Sequence, residues 1–187
     1  MIIITIMFLK IEETPNPNTL KFIPEKSIDF KGTRLFSRKD KINNSSLLQA
    51  IFSIEGVVNV LLNSEFISVS KKEEEEWNVL KTILTAKIGT ALQKKDKIFN
   101  NNIKKTKPNI SDSPLEKKII ELLENKVKPV VASHGGDITF HSFKKGVVTL
   151  ELKGSCSGCP SSTATLKMGI ENMLKHYLPE VTEVVEL

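Results

Sequence analysis

The chain has 187 residues, 40% of them hydrophobic and 26% charged, a balance that suits a globular protein and excludes a wholly disordered one. Its 27 basic and 22 acidic residues leave a net charge of +5, too mild an excess to argue for a nucleic-acid-binding protein. Two cysteines cannot make the disulfide framework of a small secreted domain, so a reducing compartment is expected.

The first residues, MIIITIMFL, are apolar but too short to span a bilayer. They carry no basic stretch and no small-residue cleavage site, and they lack the Arg and Ser of a mitochondrial transit peptide. They read as a β-branched first strand, or as an upstream extension if the chain starts at Met7. The expected location is cytoplasmic.

A first module spans residues 8–92. FLKIEE reads as a strand, and Pro15 and Pro17 in TPNPNT disfavour helix before them. LKFIP resumes an extended run, with Leu20 and Phe22 on the face opposite Lys21 and Ile23. NNSSLLQAIFSIEG predicts a helix: Asn and Ser offer N-caps, Leu47, Leu48, Ile51 and Phe52 form the apolar stripe, and Gly56 stops it. VVNVLLNSEFISVS predicts a hairpin turning at Asn63 and Ser64. EEEEWNVLKTILTAKIGTAL predicts a closing helix, its four glutamates in the first turn and Trp77, Leu80, Leu84 and Ile88 on one face. The module contains no Cys or His, so it lacks soft metal ligands and reads as an interaction domain.

Residues 93–112 are rich in Lys and Asn and read as a flexible linker. Much of the excess positive charge falls here, with a single Phe and no aromatic RNA-binding signature.

The second module spans residues 113–187. In SPLE, Ser113 is the expected N-cap, Pro114 the first helical residue and Glu116 the end of a capping box. Leu115, Ile119, Leu122, Leu123 and Val127 form the expected buried face, and Pro129 the expected end. Gly135 and Gly136 turn the chain into the strand DITFHSF, which KKG joins to VVTLEL. A second helix carries Leu166, Ile170, Met173, Leu174 and Tyr177, and VTEVVEL closes as a strand. The fold class is α+β, with two small domains and a second module in the order α-β-β-α-β.

Both cysteines, Cys156 and Cys159, lie in GSCSGCPSST, at the strand-to-helix turn of that module. Gly154 and Gly158 let backbone approach whatever the thiols bind. Pro160, Ser161 and Ser162 suit a helix start, so both sulfurs lie near unpaired N–H groups that favour thiolate. A pair of inert core cysteines fits poorly with so polar and glycine-rich a loop. A thioredoxin-like dithiol would follow a strand in a βαβ unit, whereas here a hairpin precedes the motif and no crossover is read. Zinc would need two more ligands, and His134, His141 and His176 lack the spacing of a zinc site. An iron–sulfur cluster needs four thiolates, which two chains supply across a two-fold axis. Asp137 reads as a turn residue opening a strand rather than support for a ligand. Lys153 and Lys167 read as solvated, with offsetting the charge of a thiolate-bound cluster as the alternative. No Ser/His/Asp set, phosphate loop or paired-carboxylate site is present, so the expectation is not an enzyme.

SHGGDITF followed by VTLELKGSCSGCPSSTATLKMGIENML resembles the NifU-like C-terminal domain of Nfu proteins. IEETPNPNTLKF resembles their N-terminal domain, and the two stretches stand in the Nfu order. The resemblance covers nearly the whole chain apart from the linker and the first few residues. It implies a carrier or scaffold for iron–sulfur cluster maturation that holds a [4Fe–4S] cluster between the two subunits of a homodimer, with Cys156 and Cys159 as ligands. The implied partners are apo iron–sulfur client proteins and an upstream cluster-assembly scaffold, with neither nucleic acid nor membrane. A CxxC dithiol redox protein stands as the alternative.

Overall fold

Prolines shape the start of the N-terminal unit. Pro15 and Pro17 have no N–H to give a ladder, so the chain between the first two strands is closed by side chains instead. Thr14 Oγ1 lies 2.9 Å from the carbonyl oxygens of both Asn16 and Thr19, and Asn16 Oδ1 accepts from the Asn18 N–H at 2.9 Å. Strands β1 (Leu9–Glu13) and β2 (Thr19–Pro24) pair antiparallel on either side, Ile11 opposite Phe22. The computed structural model describes residues 8–42, 44–94, 113–156 and 160–187, with the backbone alone at 160–163. The expected first strand before Phe8 and most of the expected linker lie outside the described residues.

The sheet runs β1-β2-β5-β4-β3, antiparallel throughout, with β3 (Arg34–Ser37), β4 (Val57–Leu62) and β5 (Ile67–Lys71). The β4–β5 turn forms where expected, since Asn63 Oδ1 accepts from the N–H groups of Glu65 and Phe66, both at 2.8 Å. Helix α1 (Ser46–Phe52) is capped by Ser45, whose side chain accepts from the Leu48 N–H at 3.2 Å, and it buries Leu47, Leu48, Ile51 and Phe52. Helix α2 (Trp77–Gln93) buries Leu80, Leu84 and Ile88. Burial of such side chains contributes about 1.5–3 kcal/mol each.

Two features of this unit differ from the sequence reading. The edge strand β3 was not expected, because four residues with only Phe36 buried leave no alternation to read. The four glutamates precede α2 instead of forming its first turn, and Glu76 is its N-cap residue. Lys71 holds that segment in turns: its Nζ donates to Asn18 Oδ1 at 2.9 Å and lies 3.3 and 3.5 Å from the carbonyls of Lys72 and Glu73.

In the C-terminal unit, Pro129 does not end the first helix. Helix α3 (Pro114–Leu122) continues through a π-helical turn (Leu123–Val127) into α4 (Lys128–Ser133), where Pro129 sits in the first turn. The proline follows directly on the π turn, in which the Lys128 N–H donates to the Leu123 carbonyl five residues back in place of the regular four. The widened turn keeps Ile119, Leu123, Val127 and Val131, four residues apart, buried in one core. Ser113 occupies the N-cap position without a side-chain capping bond, and Glu116 is buried. The capping box is therefore not formed from the Ser113 side.

Strands β6 (Gly136–Lys144) and β7 (Val147–Gly154) form an antiparallel hairpin turning at Lys145 and Gly146, with an irregularity between Phe140 and Ser142. Helix α5 (Pro160–Tyr177) then leads to β8 (Glu183–Glu186), which pairs parallel to β7, Val148 opposite Val184. The β7–α5–β8 passage is thus a crossover between parallel neighbours, which the sequence reading did not expect. Glu171 ties its helix to its strand: one carboxylate oxygen accepts from the Val184 N–H at 3.0 Å, the other from Lys175 Nζ at 2.6 Å. The Lys175 bond, with the Val184 bond, holds that carboxyl below its ordinary range. Along β7, Val148, Leu150 and Leu152 alternate inward onto Ile138, Phe140, Ile170 and Leu174. The chain divides into two units, Met1–Asn102 and Ile103–Leu187, both of mixed α+β structure.

Candidate functional site

Strand β7 carries the first thiol to the end of the sheet. Gly154, its last residue, stands opposite Gly136 in β6 and has φ +71°, a left-handed turn that leads the chain off the ladder. Ser155 is fastened to the turn before β6. Its N–H donates to the Gly135 carbonyl at 3.3 Å and its hydroxyl donates to the His134 carbonyl. Cys156 follows, only 5% exposed and part of the hydrophobic core of the unit. Its sulfur lies 3.9 Å from Ser155 Oγ. Helix α5 begins four residues later, at Pro160, as the Pro-Ser-Ser run leads one to expect. Cys159 and Gly158 lie outside the described residues.

The other residues singled out in the sequence lie as follows. His134 is exposed on the turn before β6, His141 is exposed on β6, and His176, at the C-terminal end of α5, meets Tyr177 edge-on with ring centroids 5.1 Å apart. Among the described residues no three or more His, Cys, Asp and Glu side chains gather to hold a metal ion. Asp137 is not a turn residue: it is the second residue of β6, opposite Lys153 and 6% exposed. Burial pushes its carboxyl above the ordinary range, against Lys128, whose Nζ is 3.9 Å away. Lys153 pairs with Glu151 at 3.0 Å, on the half-buried face of the hairpin.

Two contributors escape the sequence reading. Gly136 is the bare residue against which Cys156 packs, since a Cβ built there would lie 2.6 Å from Cys156 Sγ. Ser155 is the hydroxyl that lets a polar segment be buried. The signal for Gly136 was the doubled glycine of SHGGD: Gly135 has φ +76° and makes the turn, which leaves Gly136 free to answer to a close approach.

The N-terminal unit has a cleft of about 410 Å³ between the proline turn and the start of α2. Glu13, Pro15, Pro17, Leu20, Trp77 and Lys81 contribute to its walls. Trp77 Nε1 donates to the Pro17 carbonyl at 2.8 Å, fixing the indole at the rim.

Two family models match the chain side by side: "NifU-like domain" over residues 119–185, and "Scaffold protein Nfu/NifU N terminal" over residues 9–95. NifU-like protein 5, mitochondrial, of Arabidopsis thaliana is 39% identical over 184 residues, covering 95% of this chain and 67% of its own length. The chain belongs to the Nfu/NifU iron–sulfur cluster scaffold family. NifU-like protein 4, mitochondrial, of the same plant is also 39% identical, over 95% of this chain and 65% of its own. The NFU1 iron-sulfur cluster scaffold homolog, mitochondrial, of Drosophila sechellia is 38% identical over 188 residues, 97% of this chain and 65% of its own. This Nfu chain therefore spans about two thirds of the length of these relatives.

All three relatives are named as mitochondrial, which overturns the cytoplasmic location expected from the sequence. That expectation rested on two premises, and neither discriminates. Two thiols ask only for a reducing compartment. The composition of the first nine residues says little when the chain covers only about two thirds of its relatives' length.

Proposed function

We propose that this Nfu protein carries iron–sulfur clusters as cargo, a [4Fe–4S] cluster being held between two copies of the chain by Cys156 and Cys159 of each. The observation that carries the reading is the ligand count. The chain has two cysteines in all, half of what a cluster takes, and they stand three residues apart in the NifU-like domain. Soft thiolates suit iron and sulfide, and the chain offers no second soft set: the first module has neither Cys nor His. A cluster held by two thiolates from each side has no closed cage, so the thiolates of an apo-protein client can replace one pair at a time. An upstream assembly scaffold supplies the cargo, and the place of work is the mitochondrion, as it is in the names of the relatives. The N-terminal module, with its proline-turn cleft, recognises clients or partners and binds no metal.

The test is anaerobic reconstitution with iron and sulfide, followed by transfer to an apo [4Fe–4S] enzyme with a chelator present. Client activity should rise as the carrier loses its visible absorbance. Absorbance that stays with the carrier, or client activity abolished by the chelator, contradicts the reading.

One observation favours a second reading. The β7–α5–β8 crossover is a parallel unit and Cys156 follows its first strand, which supports the setting of dithiol oxidoreductases. On that reading Cys156 and Cys159 form and break a disulfide with a partner dithiol. A colourless protein after reconstitution, with a reversible disulfide at a defined potential, selects it.

A further inference from the structure

The thiol of Cys156 sits against the first residue of β6. A Cβ built on Gly136 would lie 2.6 Å from Cys156 Sγ, 3.2 Å from Cys156 Cβ and 2.9 Å from the Lys153 carbonyl oxygen. Contacts this short leave room for hydrogen alone. Ser155, 2% exposed, closes the other side through its two bonds to the carbonyls of Gly135 and His134. Ser155 Oγ lies 3.9 Å from the sulfur, and its own proton goes to the His134 carbonyl. The sulfur is thus held in the core, whereas a ligand shared with a second chain must face outward.

We propose that Gly136 is a positioning residue for Cys156: its bare Cα is the seat that keeps this thiol inside the unloaded subunit, and Ser155 is the latch on that seat. The purpose of the seat rests on the carrier reading, in which a free thiolate would be exposed to oxidation between deliveries. Its existence does not, and it is tested without iron. Ligation requires the thiol to leave the seat, a local opening at the end of the hairpin that leaves the rest of the sheet in place.

The experiment uses the full chain carrying Cys159→Ser, so that Cys156 is the sole thiol. The iron-free protein is mixed with 5,5′-dithiobis(2-nitrobenzoate). The Cys156 thiolate attacks the reagent disulfide, forms one mixed disulfide and releases one coloured thiolate, whose appearance gives the rate. Gly136→Ala fills the seat and should raise that rate about tenfold or more. Ser155→Ala adds no atom and should raise it by a smaller factor. Gly169→Ala, where a Cβ meets nothing within 4 Å, should leave it unchanged. A second readout separates positioning from a merely structural glycine: the loss of melting temperature on Gly136→Ala should shrink when Cys156 is also Ala, because the sulfur it collides with is gone. Equal losses in both backgrounds would mean that Gly136 answers to the Lys153 carbonyl alone, and would overturn the proposal. So would an unchanged thiol rate in Gly136→Ala that keeps its circular dichroism. If that variant does not fold, Ser155→Ala decides by the same rate. A wild-type chain that holds no cluster would overturn the carrier reading and leave these rates as they stand.

Discussion

The two units use buried polar groups in opposite ways. In the N-terminal unit they fasten loops: Ser45 caps α1, Lys71 holds the segment before α2, and Thr19 meets Ser70 across the sheet at 2.9 Å. In the C-terminal unit Asp137, Ser155 and Cys156 lie buried together at one end of a three-stranded sheet, where β6 begins and β7 ends. The first pattern strengthens a scaffold. The second sets polar groups into a hydrophobic core beside Cys156, at some cost in stability. The difference separates a unit whose buried polar groups serve its loops from one whose buried polar groups stand beside Cys156.

The comparison breaks most visibly if iron follows the wrong unit. Cys156→Ser or Cys159→Ser should abolish retained iron and sulfide after anaerobic reconstitution, together with any dimer seen by sizing. Residues 8–94 expressed alone should fold cooperatively and retain no iron.

A smaller effect tests the scaffold role of the first unit. Arg38 closes the C-terminal end of α1: Nε donates to the Val57 carbonyl at 2.7 Å, Nη1 to the Phe52 carbonyl at 2.9 Å and Nη2 to the Ile54 carbonyl. Arg38→Ala strands these carbonyls and should cost about 2 kcal/mol by denaturant unfolding of that unit, with iron content unchanged. Trp77→Phe removes the bond to the Pro17 carbonyl and weakens the contact of Lys71 Nζ, 5.7 Å from the ring centroid, and should cost about 1 kcal/mol, read in the same way.

The smallest effect sharpens the contrast through pH. The folded state holds the Asp137 proton more tightly than the unfolded one, so charging Asp137 costs stability as pH rises past the ordinary carboxylate range. Asp137→Asn should therefore gain on the wild type in thermal melts at about pH 7, and the gain should shrink toward about pH 3. A gain that grows on acidification would reverse the assignment.

Much of this was legible in the residues. The stripes of α1, α2 and the first C-terminal helix, the proline turn and the Asn63 hairpin follow from local periodicity and turn chemistry, which tertiary contacts did not override. Strand β3 was hidden because a four-residue edge strand has no period. Pro129 misled because a proline looks the same whether it ends a helix or follows a π turn in a continuing one. The parallel pairing of β8 depends on where α5 delivers it, and nothing local in VTEVVEL records that direction. The burial of Cys156 was hidden by composition: Gly-Ser-Cys-Ser-Gly reads as a solvated loop, and only the pairing of Ser155 with the His134 and Gly135 carbonyls makes its burial affordable. Fold and family could be read from sequence, whereas the setting of the thiol needed coordinates.

The most direct measurement is the stoichiometry of the reconstituted protein. The iron- and sulfide-loaded chain is run on an anaerobic sizing column with light scattering, and iron, sulfide and protein are assayed across the same peak. The carrier account expects visible absorbance to elute only with a dimer, at one [4Fe–4S] cluster per two chains, and chelation of the iron to return a monomer. A monomeric peak carrying a full cluster, or a coloured dimer that persists after both cysteines are replaced, would contradict it.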